Sequence, residues 1–264
     1  MSKPCTTCGK SFTITDEEKQ FIDRISPVIG GVKYAIPEPV DCPDCRLQLR
    51  VCHRNESSFH HNKSALSGQA LISLYAPNAP FAKDLKIYSH DEWWSDSWDA
   101  MQFGQDFDFN RPFFDQFHEL IQKIPRVAVV QVNNENSPYT TGTGFCKNCY
   151  LINSSENCEN CYYGKLIQTC RDVIDSCYAY DSELLYECFN VKKCYNCFYL
   201  SYSQNCFDCH FSENLKGCNN CFLSTNLSNK EFYFMNQPLP KEEYKKRVKE
   251  FLGSNAKRLE AKEK

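Results

Sequence analysis

Residues 146–229, written in rows of twelve, read CKNCYLINSSEN, CENCYYGKLIQT, CRDVIDSCYAYD, SELLYECFNVKK, CYNCFYLSYSQN, CFDCHFSENLKG and CNNCFLSTNLSN. Cysteine opens six of these rows, at Cys146, Cys158, Cys170, Cys194, Cys206 and Cys218, and Ser182 interrupts the column. The fourth column runs Cys149, Cys161, Val173, Leu185, Cys197, Cys209, Cys221. A fixed period sustained this long means one supersecondary unit stacked on copies of itself, because each unit buries its apolar positions against its neighbours. The third column (Asn148, Asn160, Asp172, Leu184, Asn196, Asp208, Asn220) and the twelfth (Asn157, Thr169, Asp181, Lys193, Asn205, Gly217, Asn229) are rich in residues that tolerate left-handed backbone angles. Two bends per row leave apolar stretches too short for helices. The pattern predicts a right-handed β-solenoid of twelve-residue coils stacked about 4.8 Å apart, so that seven coils make a rod about 34 Å long.

Three fates are open to the repeat cysteines. Packed thiol ladders are the expected one; stacked zinc knuckles pairing Cys146/Cys149 with Cys158/Cys161, and Cys194/Cys197 with Cys206/Cys209, are the second, and they leave Cys218/Cys221 without a pair. Disulfides or clusters are the third. The fifth column, Tyr150, Tyr162, Ile174, Tyr186, Phe198, His210, Phe222, is nearly all aromatic. It can stack an extended or planar ligand on an outer face. Packing into the core is the expectation, since an uncovered aromatic stripe invites aggregation.

Nearer the N-terminus, Cys5-Thr-Thr-Cys8-Gly is answered by Cys42-Pro-Asp-Cys45. Two Cys-x2-Cys knuckles supply the four thiolates of a closed tetrahedral zinc site, with no position left open for a substrate. Their separation suits a treble clef, the first pair on a hairpin and the second opening a helix over residues 46–56. Thr15-Asp-Glu-Glu18 reads as a capping box in the insert. Arg46, Arg50 and Arg54 fall on one helical face and are candidate phosphate contacts, although pairing with nearby carboxylates is the expected role.

The segments CTTCGKSFTIT, CPDCRLQLR with the following RNE, WWSDSWD, FGQDFDFNRPFFDQF and NKEFYFMNQPLPKEEY resemble a family of bacterial predicted zinc-ribbon proteins to which no activity is assigned. The resemblance spans nearly the whole chain and implies the same domain order and a zinc ion. It also implies a further cysteine between the RNE and the next glycine, where this chain has Ser64.

The expected organisation is α+β and multi-modular: a zinc treble clef or ribbon over 1–56, an α+β module over 57–145, the solenoid over 146–229, and a capping helix with a basic tail over 230–264. In the middle module, Ala70–Ala76 and Lys86–Ser89 read as strands, Pro112–Ile124 as an amphipathic helix, and Thr141-Gly-Thr-Gly144 as a linker. Asp91, Glu92, Asp96, Asp99, Asp106 and Asp108, interleaved with three tryptophans, are available for acid/base or metal chemistry with His60, His61, His90 or His118. Caps and turns explain the same letters, and that is the expectation.

A formal net charge of −3 gives no global attraction to nucleic acid or anionic membrane, so any such binding must be local. No apolar run is long enough to span a membrane, and the start MSKPCTTCGK lacks a secretory core. The 18 cysteines then read as thiols and metal ligands of a cytoplasmic protein. The expected function is a zinc-stabilised scaffold that binds a protein or other macromolecule. A nucleic-acid binder using Arg46, Arg50, Arg54 and the basic tail is the alternative, and an enzyme seated in the acidic segment the second alternative.

Overall fold

Every third residue of the repeat bends the backbone into the left-handed region. In the first row Asn148, Leu151, Ser154 and Asn157 have φ of 52°, 50°, 51° and 53°, and the same holds down the column at Tyr163, Leu166, Thr169 and beyond. Each twelve-residue coil therefore has four corners, and each side is a three-residue extended segment with one residue pointing in. In this computed structural model, which describes residues 2–51, 55–79 and 85–253, the chain forms two units, Met1–Asn55 and Glu56–Lys264. The solenoid belongs to the second.

The strands are parallel, and the register is twelve residues throughout: Tyr150 pairs with Tyr162, Cys161 with Val173, Val173 with Leu185, Leu185 with Cys197, and Phe198 with His210. The ladder begins before Cys146. Thr143 pairs with Gln131 below it and Ser155 above it, so Thr141–Gly144 is a solenoid strand and not the expected linker, and the stack reaches about nine coils. The inward positions of the coil before Cys146 are Asn134, Ser137, Thr140 and Thr143, hydrophilic letters that hide the period. Asn134 Nδ2 donates to Thr143 Oγ1 at 2.7 Å, Thr143 Oγ1 to Thr140 Oγ1 at 3.0 Å, and Thr140 Oγ1 to the Ser137 carbonyl at 2.8 Å. A satisfied polar ring thus closes this end of the tube.

Inside, the side chains share a fixed cross-section. Two inward positions per coil are mostly cysteine, and the other two compensate one another: Ile152 with Ser155, Gly164 with Ile167, Leu200 with Ser203, Ser212 with Leu215. At Gly164 a Cβ would lie 2.4 Å from Ile167 Cδ1, so the glycine makes room for the isoleucine. Ser182, the break in the cysteine column, donates from Oγ to the Tyr180 carbonyl at 2.7 Å and accepts the Cys194 N–H at 3.0 Å. The inward position needs a small side chain that can serve the backbone of the next coil, and serine and cysteine both qualify. Ladders also run outside: Asn136 donates to Asn148, Asn148 to Asn160, and Asn160 to Asp172, at 2.9, 3.3 and 2.9 Å.

The C-terminal edge is blocked. Glu231–Phe234 adds the last parallel strand, and Gln237–Pro238 turns back on it antiparallel, placing a proline where a further strand would dock. Helix Lys241–Leu252 follows, laying Phe251 on Phe222 and Phe211 at ring distances of 5.2 and 6.2 Å. At the other end the middle module joins the first coil through Ala128, whose N–H donates to the Tyr88 carbonyl and whose carbonyl accepts the Leu74 N–H. That module holds the hairpin of His60–Lys63 with Ala70–Ser73, a parallel pair Ile87–Tyr88 with Arg126–Val127, and helix Phe113–Lys123, matching the expected strands and helix. No helix among the described residues is long and apolar enough to cross a membrane.

Candidate functional site

In the first unit, strands Ser2–Pro4 and Ser11–Thr13 form an antiparallel hairpin whose turn carries Cys5 and Cys8. Helix Pro43–Val51 starts inside the second knuckle. The insert forms helix Asp16–Ile25 behind the expected capping box, with Glu18 N–H donating to Thr15 Oγ1 at 3.1 Å and Thr15 N–H to Glu18 Oε2 at 3.2 Å. A two-residue hairpin at Gly30 and Gly31 then returns the chain to Cys42.

The sulfurs of Cys5, Cys8, Cys42 and Cys45 all lie within 4.8 Å of one another, and Cys8 and Cys42 are 3.8 Å apart. Zinc–sulfur bonds of about 2.3 Å in a tetrahedron put sulfurs about 3.8 Å apart, so the spacing fits a metal ion held by four thiolates. The surroundings favour ionised sulfur. The Cys42 N–H donates to Cys5 Sγ at 3.2 Å, and Gly9, at φ 73°, closes the first knuckle with its N–H on the Cys5 carbonyl. Burial raises the Cys5 thiol, but the N–H groups of Cys42, Cys8 and Thr7 outweigh it and bring it down to about 7. Cys45 moves the other way, because a hydrogen bond with Cys8 and burial hold its proton. Four adjacent thiolates need a cation to coexist. Asp41 braces the two knuckles, accepting from Thr6 Oγ1 at 2.5 Å and from the Thr7 N–H at 3.1 Å, a contribution that the cysteine spacing did not announce.

Of the three arginines behind the knuckle, Arg46 reaches Glu18 at 3.9 Å, Arg50 lies on the exposed surface, and Arg54 is outside the described residues. Arg46 thus faces a carboxylate of the insert, while Asp44 pairs with Lys10 and Glu56 with Lys165.

The repeat cysteines Cys146, Cys149, Cys158, Cys161, Cys194, Cys197, Cys206, Cys209, Cys218 and Cys221 form one continuous buried core with the inward aliphatic side chains. Among the described residues only the N-terminal four bring three or more metal-type ligand atoms together. Thiols in the tube serve backbone carbonyls: Cys161 Sγ lies 3.4 Å from the Glu159 carbonyl and 3.6 Å from that of Cys170. Burial pushes Cys170 up to about 11 and Cys188 up to about 12, so both are neutral at physiological pH. A packed neutral thiol tolerates a slightly smaller apolar group. Cys161→Ala will lower stability by only about 1–2 kcal/mol in urea unfolding and leave the metal content unchanged.

The fifth column departs from expectation. Its residues follow an inward side chain by one place, a cysteine in five coils and Val173 or Leu185 in the other two, and in a three-residue side the neighbour of an inward residue points out. Tyr150, Ile174 and Phe198 are exposed and Tyr162, Tyr186 and His210 half-buried; Phe222 alone is fully buried, beneath Phe251. The corner residues join them on this face, Tyr150 against Tyr163 at 5.8 Å and Tyr199 stacked on Phe211 at 4.6 Å. A second stripe, Tyr178, Phe189 and Tyr202, runs beside it with ring distances of 5.5 and 5.4 Å. These corner aromatics are not turn formers and gave no sign of lying on a corner.

In the acidic segment three of the carboxylates serve the backbone. Asp99 caps the 3-10 turn Ala100–Phe103 through the Met101 N–H, and Asp108 accepts the Asn110 N–H at 2.9 Å. Glu92 completes a second capping box with Ser89 and accepts a 2.6 Å bond from buried Ser64. Burial raises the Glu92 carboxyl, but bonds from Ser64, Ser67 and Ser89 outweigh it and bring it from the ordinary 4.5 down to about 2. A depressed folded-state pKa stabilises the fold above the unfolded value and loses that effect as pH falls through the folded one. Ser64→Ala will therefore cost about 1–2 kcal/mol in urea titrations at pH 7, and the gap to the wild type will close between pH 4.5 and 2.

No protein-family model matches this chain, and no curated protein matches it.

Proposed function

We propose that this protein is a zinc-stabilised cytoplasmic scaffold that works by binding another protein. The observation that carries the reading is the outward alignment of aromatic side chains on a solenoid whose interior is filled. Core residues such as Cys161, Ile167, Val173, Leu200 and Cys209 are completely buried, so the tube has no room for a ligand and its recognition surface is its outside. A closed four-sulfur site holds the N-terminal unit together and leaves no coordination position for chemistry.

Protein is favoured over nucleic acid because three of the solenoid's cations are already paired. Lys147 pairs with Glu135, Arg171 with Glu183 at 2.7 Å, and Lys165 with Glu56. Phosphate binding needs clusters of unpaired lysine and arginine. Tyr163 and Tyr202 are each 53% exposed at left-handed corners, which asparagine also accepts, so Tyr163→Asn/Tyr202→Asn alters the surface without straining the coil. Tagged protein captured from its own cells after nuclease treatment will retain a protein partner that this double variant loses. Capture that nuclease abolishes would overturn the reading in favour of nucleic acid, and metal analysis giving about one zinc per chain tests the ion.

A further inference from the structure

The amphipathic helix Phe113–Lys123 buries only half of its apolar stripe. Leu120, Ile121 and Ile124 are partly covered, whereas Phe113 and Phe117, on the same face nearer the N-terminus, are 54% and 45% exposed. Phe114 beside them is 78% exposed, and the preceding loop adds Phe107 at 46% and Phe109 at 91%. The rings form one cluster: Phe107 lies 5.0 Å from Phe109 and 6.4 Å from Phe113, and Phe113 lies 5.3 Å from Phe114 and stacks on Phe117 at 5.5 Å. Contiguous exposed apolar patches of this kind mark interaction sites.

The cluster is held in place before any partner arrives. Gln116, buried at 4% exposure, accepts the Asp108 N–H at 2.9 Å and returns its own amide N–H to the carbonyls of Asp108 and Arg111 at 3.0 and 3.1 Å. Gln105 Nε2 adds a bond to the Gln116 carbonyl, and Arg111 is tied to Glu119. One glutamine thus clamps the loop bearing Phe107 and Phe109 to the helix bearing the other three. A fixed surface keeps more of its binding free energy than one that must be ordered on contact.

The charge around the patch selects its occupant. The segment that carries the rings, residues 106–119, holds Asp106, Asp108, Asp115 and Glu119 against Arg111, an excess of carboxylates. Nucleic acid and anionic lipid are repelled by such a surface. A second copy docking about a two-fold axis would set the same acidic patch against itself. Exposed rings rimmed by carboxylates suit lysine and arginine, whose stems lie on aromatic faces while their charged heads reach the rim.

We propose that the phenylalanine cluster of residues 107–117 docks a cationic, apolar segment of a protein partner. The proposal rests on the scaffold reading and gives it a partner class at a site separate from the solenoid stripes. The test uses full-length protein and labelled helical peptides that share one leucine face and carry lysine, glutamine or glutamate on the other, with a lysine peptide lacking the leucines as control. Fluorescence anisotropy will show the lysine–leucine peptide binding about tenfold more tightly than the glutamine peptide or the leucine-free control, with no binding of the glutamate peptide. Phe109→Ser/Phe114→Ser will weaken it by about tenfold or more, and Asp106→Asn/Asp115→Asn by about threefold with a flatter salt dependence. These side chains are on the surface, so thermal unfolding will be unchanged. Equal binding of all four peptides, or binding indifferent to the phenylalanine pair, removes the site. If Tyr163→Asn/Tyr202→Asn abolishes binding instead, the scaffold reading survives and this site does not. Dimers, or binding to poly-dT or phosphatidylserine vesicles, that disappear in Phe109→Ser/Phe114→Ser would also overturn the proposal.

Discussion

Cys42→Ser will empty the metal site and unfold the first unit while the solenoid persists. Cys42 is 2% exposed, sits 3.8 Å from Cys8 and presents its N–H to Cys5, so its loss removes a ligand and disturbs the knuckle that starts the second helix. Little else holds this unit. Its core is the cysteine cluster with Phe12, with Ile14 buried beyond it, and Phe21, Ile25, Val28 and Ile29 are all at least half exposed. In small metal modules the binding free energy, apparently about 10 kcal/mol or more, supplies most of the folding free energy. Metal content will fall by about one ion per chain, and brief proteolysis will digest residues 2–51 of the variant while leaving residues 126–253 intact. A variant that keeps its metal, or resists protease over 2–51, refutes the four-thiolate site.

Leu200→Asp will break the solenoid. Leu200 is fully buried and shares its coil with Ser203, Cys197 and Cys194, so no water reaches it and no cation lies within the tube. An unpaired buried charge costs several kcal/mol, comparable with the whole stability of a domain. Repeat arrays are stabilised chiefly by contacts between neighbouring units, so one failed coil separates those before it from those after it. The parallel β signal in circular dichroism will drop, and proteolysis will begin near residue 200. Leu200→Met, which preserves volume and charge, will behave as the wild type.

The repeat's period was legible because Cys146, Cys158 and Cys170 recur with asparagine or aspartate two places on, and the metal knuckles because Cys-x2-Cys has few other uses. The finer three-residue rule was not. Half the corners fall on residues such as Tyr163, Tyr178, Tyr202 and Phe211, which have no local preference for left-handed angles and adopt them because the stacked coils impose them. The coil before Cys146 is hidden for the opposite reason: Asn134, Ser137, Thr140 and Thr143 are polar letters in inward positions, satisfied only through contacts that the sequence does not display. The apolar spacing of Phe113–Lys123 marks it as a helix, but spacing says which residues share a face and not whether anything covers it. Exposure of Phe109 and Phe114 is a tertiary fact.

A corner at every third residue also governs how the length of this molecule can change. Loss or gain of twelve residues within the repeat removes or adds one rung and leaves every later side chain on the face it had. A three-residue change obeys the local inward-and-corner rule equally well, yet it turns everything downstream by a quarter of a coil. Side chains after the change would then no longer lie over those before it, and a change between Asn148 and Asn160 would break the asparagine ladder that runs from Asn136 to Asp172. Changes of one or two residues put a corner residue or an outward-facing one into the tube. The tolerated insertions and deletions of such a chain are therefore quantised in whole coils.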